Sequence, residues 1–182
     1  MSEQHAPLVS VRELRKHYHL NGGLLRKGVA VKAVDGVSFD IHRGETFGLV
    51  GESGCGKSTL GRAILRLFDI TSGEIHFAGQ EIAQASERQL KPLRKRMQAI
   101  FQDPYSSLNP GMTVQQLIAE PMQIPGYRRE EQQTRTEFLL EKVGLKREHL
   151  QRFPHEFSGG QRQRISIARA LSVRPEFVLC DE

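Results

Sequence analysis

Tryptophan is absent from this chain of 182 residues, and cysteine occurs only twice, as Cys55 and Cys180. Two distant cysteines give neither a disulfide framework nor the paired spacing of a structural zinc site. The composition therefore excludes the small disulfide-stapled and zinc-ribbon classes, and it agrees with a reducing, cytosolic setting.

Long apolar runs are also missing, since no window approaches 18 consecutive apolar residues, and we expect no membrane-spanning helix. Residues 1–5 do not have the basic-then-apolar order of a secretory signal. The net charge is a modest +5, and its basic residues are spread along the chain without interleaved aromatic residues. This pattern favours solvated helix faces over a nucleic-acid surface, so we expect no nucleic-acid partner.

What the chain does contain is a glycine-rich segment at residues 51–59, which we call the phosphate loop. It fills the G-x-x-x-x-G-K-[ST] pattern between an apolar run at 46–50 and a helix-like run at 60–68. The strand–loop–helix context disfavours the alternative of a Gly/Ser-rich turn with an incidental lysine. We predict that the loop binds a nucleoside triphosphate through Gly51, Glu52, Ser53, Gly54, Cys55, Gly56, Lys57, Ser58 and Thr59.

The chemistry follows from the residue types. The glycines allow backbone N–H groups to point at a polyanion, next to the positive end of the following helix. Lys57 is predicted to reach the β- and γ-phosphates, and the Ser58 hydroxyl is predicted to complete a Mg²⁺ shell.

The remaining pattern alternates short strands with helices. Strands are predicted over 8–19, 29–34, 37–41, 46–50, 74–77, 97–101 and 177–181, with turns at Asp35-Gly36 and at 42–45. Helices are predicted over 60–68, 86–96 and 113–145, the last interrupted by prolines, and from Ser158 onward.

Two acidic residues follow the last apolar strand. A buried parallel strand at 177–180 would deliver the Asp181 carboxylate to a metal ion beside the phosphate loop. Glu182 comes next and is a candidate general base for an attacking water.

A second helix start with the features of an anion-binding site lies at Ser158, Gly159, Gly160 and Gln161, which we call the signature segment. Ser158 alone would suit a simple N-cap, but tandem glycines weaken a helix without improving a cap, which favours anion binding. One nucleotide has a single γ-phosphate, so the second helix start serves either the same nucleotide or one held by a partner.

In this order the motifs resemble the ATP-binding cassette (ABC) transporter ATPases. The phosphate loop is similar to their Walker A motif, the signature segment to their signature motif and residues 177–181 to Walker B. The resemblance implies catalytic roles for Glu182, Gln102 and Lys57, and metal binding by Ser58, Gln102 and Asp181. It also implies that Tyr18 stacks on adenine and that ATP and Mg²⁺ are the cofactors.

Longer stretches at 50–62, 101–110 and 152–164 are similar to the dipeptide and oligopeptide importer ATPases. The resemblance implies import of peptides, with glutathione, nickel and antimicrobial peptides as alternative substrates of the same group. It implies a head-to-tail pair of ATPase subunits, in which each signature segment meets the partner's nucleotide. Membrane permease subunits and, indirectly, a substrate-binding protein are the other implied partners, at the cytoplasmic face of the membrane.

The expected fold class is α/β, a P-loop NTPase core with an N-terminal antiparallel β part and a helical part. The β part is expected at about 1–45 and 73–80, the core at 46–72 and 160–182, and the helical signature part at about 103–159. The family continues beyond Glu182 with further strands and a switch histidine. We therefore favour a gene fragment or incomplete sequence over a designed truncation, with a short natural protein least favoured. We expect this chain to fold poorly or to bind ATP weakly, and to hydrolyse it slowly.

Two other function classes remain open at this point. A non-transport ABC protein of DNA repair or translation would predict zinc-binding cysteines or paired cassettes, which this sequence does not contain. A non-catalytic module that holds nucleotide without turnover would be separated from an ATPase by comparing binding with hydrolysis.

Overall fold

The computed structural model describes residues 6–20, 29–103, 107–123 and 126–181. The chain divides into two compact units, Met1–Lys91 and Pro92–Glu182. No helix within the described ranges has the length and apolar character that a membrane crossing requires.

The first unit contains a four-stranded antiparallel sheet in the order β2-β1-β3-β4. Its strands are β1 (Val9–Leu20), β2 (Val29–Ile41), β3 (Ser72–Phe77) and β4 (Gln80–Glu81). Val9 and Val11 on β1 are fully buried, whereas Arg12 is exposed, because alternate side chains of a strand point to opposite faces. Helix α1 (Lys57–Ile64) packs against β1 and β2 and buries Leu60, Ala63 and Ile64. The spacing of these three residues is that of one helix face.

The sequence predicted a turn at Asp35-Gly36, but in the structure these residues lie inside the continuous strand β2. The register passes from Leu14 opposite Val37 to Arg15 opposite Asp35, so Gly36 is the extra residue of a β-bulge. Gly36 has a φ of 79°, which glycine adopts without strain. The residues that predicted a turn therefore form a bulge within the strand.

Two further predictions in this unit differ from the structure. Residues 46–50 belong to no strand among the described residues, and Val50 is 93% exposed, because an apolar run becomes a strand only beside a hydrogen-bonding neighbour. Helix α1 ends at Ile64 rather than at Phe68. Arg66 turns left-handed there, with a φ of 50°, and its buried guanidinium donates to the carbonyls of Ile82 and Phe68.

Within the described residues, the second unit combines a two-stranded parallel sheet with three helices of its own. Helix α2 (Glu87–Arg94) crosses the boundary between the units in sequence. Strand β5 (Met97–Ile100) pairs in parallel with β6 (Phe177–Cys180). The helices are α3 (Val114–Ala119), α4 (Arg129–Lys142) and α5 (Gly159–Leu171), joined through 3-10 turns at Glu120–Gln123, Arg147–Gln151 and Pro154–Glu156.

An apolar core holds these three helices together. It comprises Leu108, Val114, Leu117, Ile118, Leu139, Leu140, Leu145, Leu150, Phe157, Ile165 and Ala168. Helix α5 contributes Ile165 and Ala168 to this core, and it packs against α3, α4 and β5. The helix that begins at the signature segment is therefore firmly embedded in its own unit.

Candidate functional site

The phosphate loop leads directly into α1, as the pattern predicted. Gly56 is the N-cap residue, with a left-handed φ of 100° and no side-chain cap. A Cβ added at Gly56 would lie 2.1 Å from the carbonyl oxygen of Ala33 on β2. Ala33 is skipped in the register between Lys16 opposite Val34 and His17 opposite Lys32, and is therefore a second bulge residue. Only glycine can bring the end of the loop this close to β2.

Lys57 lies folded over the phosphate loop. Its Nζ donates to the carbonyl oxygens of Gly51 and Glu52, each at 2.8 Å, and lies 3.8 Å from the Cys55 sulfur. The first turn of α1 contains no acidic residue, in contrast to α2 and α4. Since a carboxylate is otherwise favoured at a helix N-terminus, its absence leaves the positive end of α1 to an external anion.

Tyr18 is on β1 and is 40% exposed. Its ring meets Phe68 edge-on at 6.4 Å between centroids, and the Lys16 ammonium lies 4.9 Å from both ring centroids. Tyr18 pairs with Val31 on β2, two residues before Ala33. The structure thus brings the aromatic residue and the end of the phosphate loop to neighbouring positions on the same two strands.

Gln102 and Asp181 follow the carboxyl ends of two adjacent parallel strands. Ile100 pairs with Cys180 at the end of β5 and β6, and the Asp181 backbone N–H donates to the Ile100 carbonyl at 2.9 Å. Gln102 and Asp181 therefore share one edge of this sheet, as parallel pairing requires. Glu182 lies outside the described residues.

At the other end of the same strand pair, an ion pair joins Arg96 to Glu176, and the Arg96 carbonyl accepts from the N–H groups of Glu176 and Phe177. The hydrogen bond to Glu176 raises the pKa of Arg96 above its ordinary value. This pair aligns the starts of β5 and β6. Sequence reasoning missed it, because 80 residues separate the partners and no local pattern links them.

Ser158 is the N-cap of α5 and forms a full capping box with Gln161. The Ser158 Oγ accepts from the Gln161 N–H at 3.4 Å, and the Gln161 Oε1 accepts from the Ser158 N–H at 3.0 Å. The structure thus shows the N-cap that the tandem glycines argued against, with Ser158 and Gln161 capping one another, while anion binding by this segment stays a prediction.

No contact within the described residues explains why the signature segment contains two glycines. A Cβ added at Gly159 or Gly160 would meet nothing within 4 Å, and neither residue has a positive φ. The first turn of α5 also lacks acidic residues. Nothing within the described residues therefore requires glycine at these two positions, and the surface they form is bare backbone.

The opposite end of α5 is held by arginines that sequence reasoning did not select. Arg135 on α4 donates to the carbonyls of Leu171 and Ser172, and burial lowers its pKa below the ordinary value. Arg169 donates to the Ser107 carbonyl at 2.8 Å and forms an ion pair with Glu120 at 2.7 Å. No local pattern marks either arginine, since Leu171 lies 36 positions from Arg135 and Ser107 lies 62 positions from Arg169.

Comparison with known proteins identifies the family. The family model described as "ABC transporter" matches residues 34–182. The chain belongs to the ABC transporter family. Among curated relatives of this family, the oligopeptide transport ATP-binding protein OppF of Bacillus subtilis is 52% identical over 178 residues, covering 96% of this chain and 56% of OppF. The glutathione import ATP-binding protein GsiA of Salmonella paratyphi A is 51% identical, covering 97% of this chain and 29% of GsiA. The chain thus spans about half the length of OppF.

A solved structure in the same family confirms the expected α/β fold. The dimeric post-hydrolysis state of the ATP-binding cassette MJ0796, bound to ADP and Pi, superposes with a TM-score of 0.83 at 27% identity. The match covers 94% of this chain and 72% of that one. The predicted grouping of residues 46–72 with 160–182 into one core stays a prediction.

Proposed function

We propose that this chain is the nucleotide-binding part of an ATP-hydrolysing subunit that powers the import of oligopeptides or dipeptides across the cytoplasmic membrane. The observation that carries the proposal is Lys57 folded over a glycine-shaped loop, with its Nζ donating to the loop carbonyls of Gly51 and Glu52. The 52% identity to an oligopeptide transport ATP-binding protein supports the transported substrate class.

In this proposal the phosphates of ATP enter at the start of α1. The backbone N–H groups of residues 51–59 and the positive end of α1 bind the phosphate chain. Lys57 exchanges the carbonyls of Gly51 and Glu52 for β- and γ-phosphate oxygens, which are stronger acceptors because they are charged. Tyr18, which is 40% exposed and contacts Phe68 edge-on, is proposed to stack on adenine.

The residues proposed to hold Mg²⁺ are Ser58, Gln102 and Asp181. All three present oxygen ligands, which suit a hard cation, and two of them share one edge of the β5–β6 sheet. The ion supplies neutralisation of phosphate charge when bound. Gln102 is further proposed to orient the attacking water, and Glu182 to accept its proton as general base.

The signature segment is proposed to act on the nucleotide of a second ATPase subunit, identical or different. Its bare backbone at Gly159 and Gly160 leaves room for a partner's phosphate to approach, and no first-turn carboxylate opposes it. Permease subunits in the membrane and an external substrate-binding protein complete the proposed importer, with this subunit peripheral at the cytoplasmic face.

A second substrate has support from one comparison. The glutathione import protein GsiA is 51% identical to this chain, close to the value for OppF. Glutathione is itself a small peptide, so the same ATPase chemistry serves both. Uptake of labelled oligopeptides and of labelled glutathione by cells that lack the gene separates the two, since only the true substrate is no longer imported.

The nucleotide assignment is tested by Lys57→Ala in the protein at its natural length, with Lys95→Ala as the matched control on an exposed lysine. Loss of two charged hydrogen bonds predicts a fall in ATP affinity of about a hundredfold. Calorimetric titration with ATP and Mg²⁺ measures it. An unchanged affinity in Lys57→Ala would reject the assignment.

A further inference from the structure

Arg169 lies in the last turns of α5 and connects that helix to the chain segment that follows Gln102. Its guanidinium donates to the backbone carbonyl of Ser107 at 2.8 Å. A second nitrogen forms the ion pair with Glu120, which follows the end of α3. One side chain thus joins three parts of the second unit.

Two other contacts fix the same attachment point. The Ser107 hydroxyl lies 3.3 Å from the hydroxyl of Ser166, one helical turn before Arg169. Leu108 is buried in the helical core beside Ile165 and Ala168. Ser107 and Leu108 are therefore held to α5 by a carbonyl contact, a hydroxyl contact and an apolar contact.

The segment that carries Gln102, which the structure describes at 101–103 and 107–108, is consequently held at both of its ends. On one side, β5 is paired with β6 and the Ile100 carbonyl accepts from Asp181. On the other side, five residues after Gln102, Arg169 holds Ser107. Because α5 begins at the signature segment, this second anchor belongs to the helix that is proposed to meet the partner's nucleotide.

We propose that Arg169 is a positioning residue that fixes the Gln102 segment to the signature helix. It sets the orientation of Gln102 without contacting nucleotide or water. This inference rests on the proposed ATPase function. The Ser107 contact carries it, because the side chains of Arg169 and Glu120 are 33% and 41% exposed and ion pairs this exposed contribute little to stability.

The test compares Arg169→Ala with Arg164→Ala in the protein at its natural length. Arg164 is on the same helix but donates to the Val143 carbonyl, away from the Gln102 segment. We expect Arg169→Ala to lower the kcat of ATP hydrolysis about tenfold, with unchanged KM and ATP affinity, and Arg164→Ala to leave kcat unchanged. Glu120→Gln keeps Arg169 and the Ser107 contact, so its kcat is expected to stay close to the wild-type value.

A double-mutant cycle separates positioning from general stability. In a Gln102→Ala background, Arg169→Ala is expected to have no further effect on kcat, because both changes remove the same function. An equal fall in both backgrounds, or an unchanged kcat in the single variant, would overturn the inference.

Hydrogen exchange tests the positioning role of Arg169 without a measurement of ATP hydrolysis. Arg169→Ala is expected to increase exchange in peptides covering residues 101–112 and to leave those of α4 unchanged. If wild type bound no ATP, the proposed function would fail while exchange still tested Arg169. If ATP bound normally and exchange did not change, only the inference about Arg169 would fail.

Discussion

Helices α1 and α5 both begin with backbone N–H groups that have no partner within the helix, but their N-termini are built differently. At α1 the N-cap is a left-handed glycine without a capping side chain, pressed against the Ala33 carbonyl. At α5 the N-cap is a serine in a complete capping box, followed by two glycines at which an added Cβ would meet nothing within 4 Å. The Ala33 carbonyl requires glycine at the start of α1, whereas no contact within the described residues requires the two glycines at the start of α5.

This contrast separates an expected effect on stability from an expected effect on function. We expect a side chain added at Gly56 to destabilise the first unit, and the proposed nucleotide binding with it. A Cβ added at Gly159 or Gly160 would meet nothing within 4 Å, so we expect the second unit to stay folded. Under the proposed function, such a side chain would obstruct the approach of a partner and slow hydrolysis without destabilising the unit.

The largest effect is expected for Gly56→Ala, with Gly54→Ala as its matched control. Both residues have a left-handed φ, but only the Cβ at 56 collides with backbone, while that at 54 meets nothing within 4 Å. Gly54→Ala should cost about 1 kcal/mol in the free energy of unfolding, and Gly56→Ala roughly 3 kcal/mol or more, because backbone must move. Urea denaturation measures both. Equal losses would show that the Ala33 contact does not shape the loop.

Gly160→Ala is expected to have a smaller effect on stability, with the opposite sign. Alanine in a helical turn should raise the free energy of unfolding by about 0.5 to 1 kcal/mol, since glycine loses more backbone entropy on folding. The rate of ATP hydrolysis should fall about a hundredfold, as for loss of a preorganised backbone donor surface. Gly111→Ala, outside the signature segment, is the control for alanine substitution. Unimpaired hydrolysis in Gly160→Ala would contradict a partner's approach at this surface.

The smallest effect on hydrolysis is expected for Ser158→Ala, which removes the N-cap of α5. Loss of the bond from the Gln161 N–H should lower the free energy of unfolding by about 1 kcal/mol. Thr113 caps α3 through the same reciprocal bonds with Gln116, so Thr113→Ala is the matched control for capping without a signature role. Both should lose similar stability, while only Ser158→Ala should also reduce hydrolysis.

The sequence predicted these two helix starts well because each is a local pattern of adjacent residues. The phosphate loop, α5 from Gly159 and the strand that ends before Asp181 all form where the pattern indicated. Local signals also identified Asp35-Gly36, but only the pairing of β1 with β2 decides between a turn and a bulge.

What escaped prediction depends on partners distant in sequence. The Arg96–Glu176 pair and the Arg169–Ser107 contact join residues 80 and 62 positions apart. The run at 46–50 has a strand's composition but no strand beside it among the described residues. The composition of a segment indicates which face of a helix or strand is apolar, whereas strand pairing depends on which other segment of the chain lies beside it.

The bulge at Ala33 has a consequence for how the protein tolerates change. The contact with Gly56 is made by a main-chain carbonyl, so many different side chains at position 33 would preserve it. A one-residue deletion in β2 would instead restore regular pairing and rotate that carbonyl away from the loop. The proposed nucleotide site is thereby protected from substitutions in the neighbouring sheet but sensitive to small insertions and deletions there.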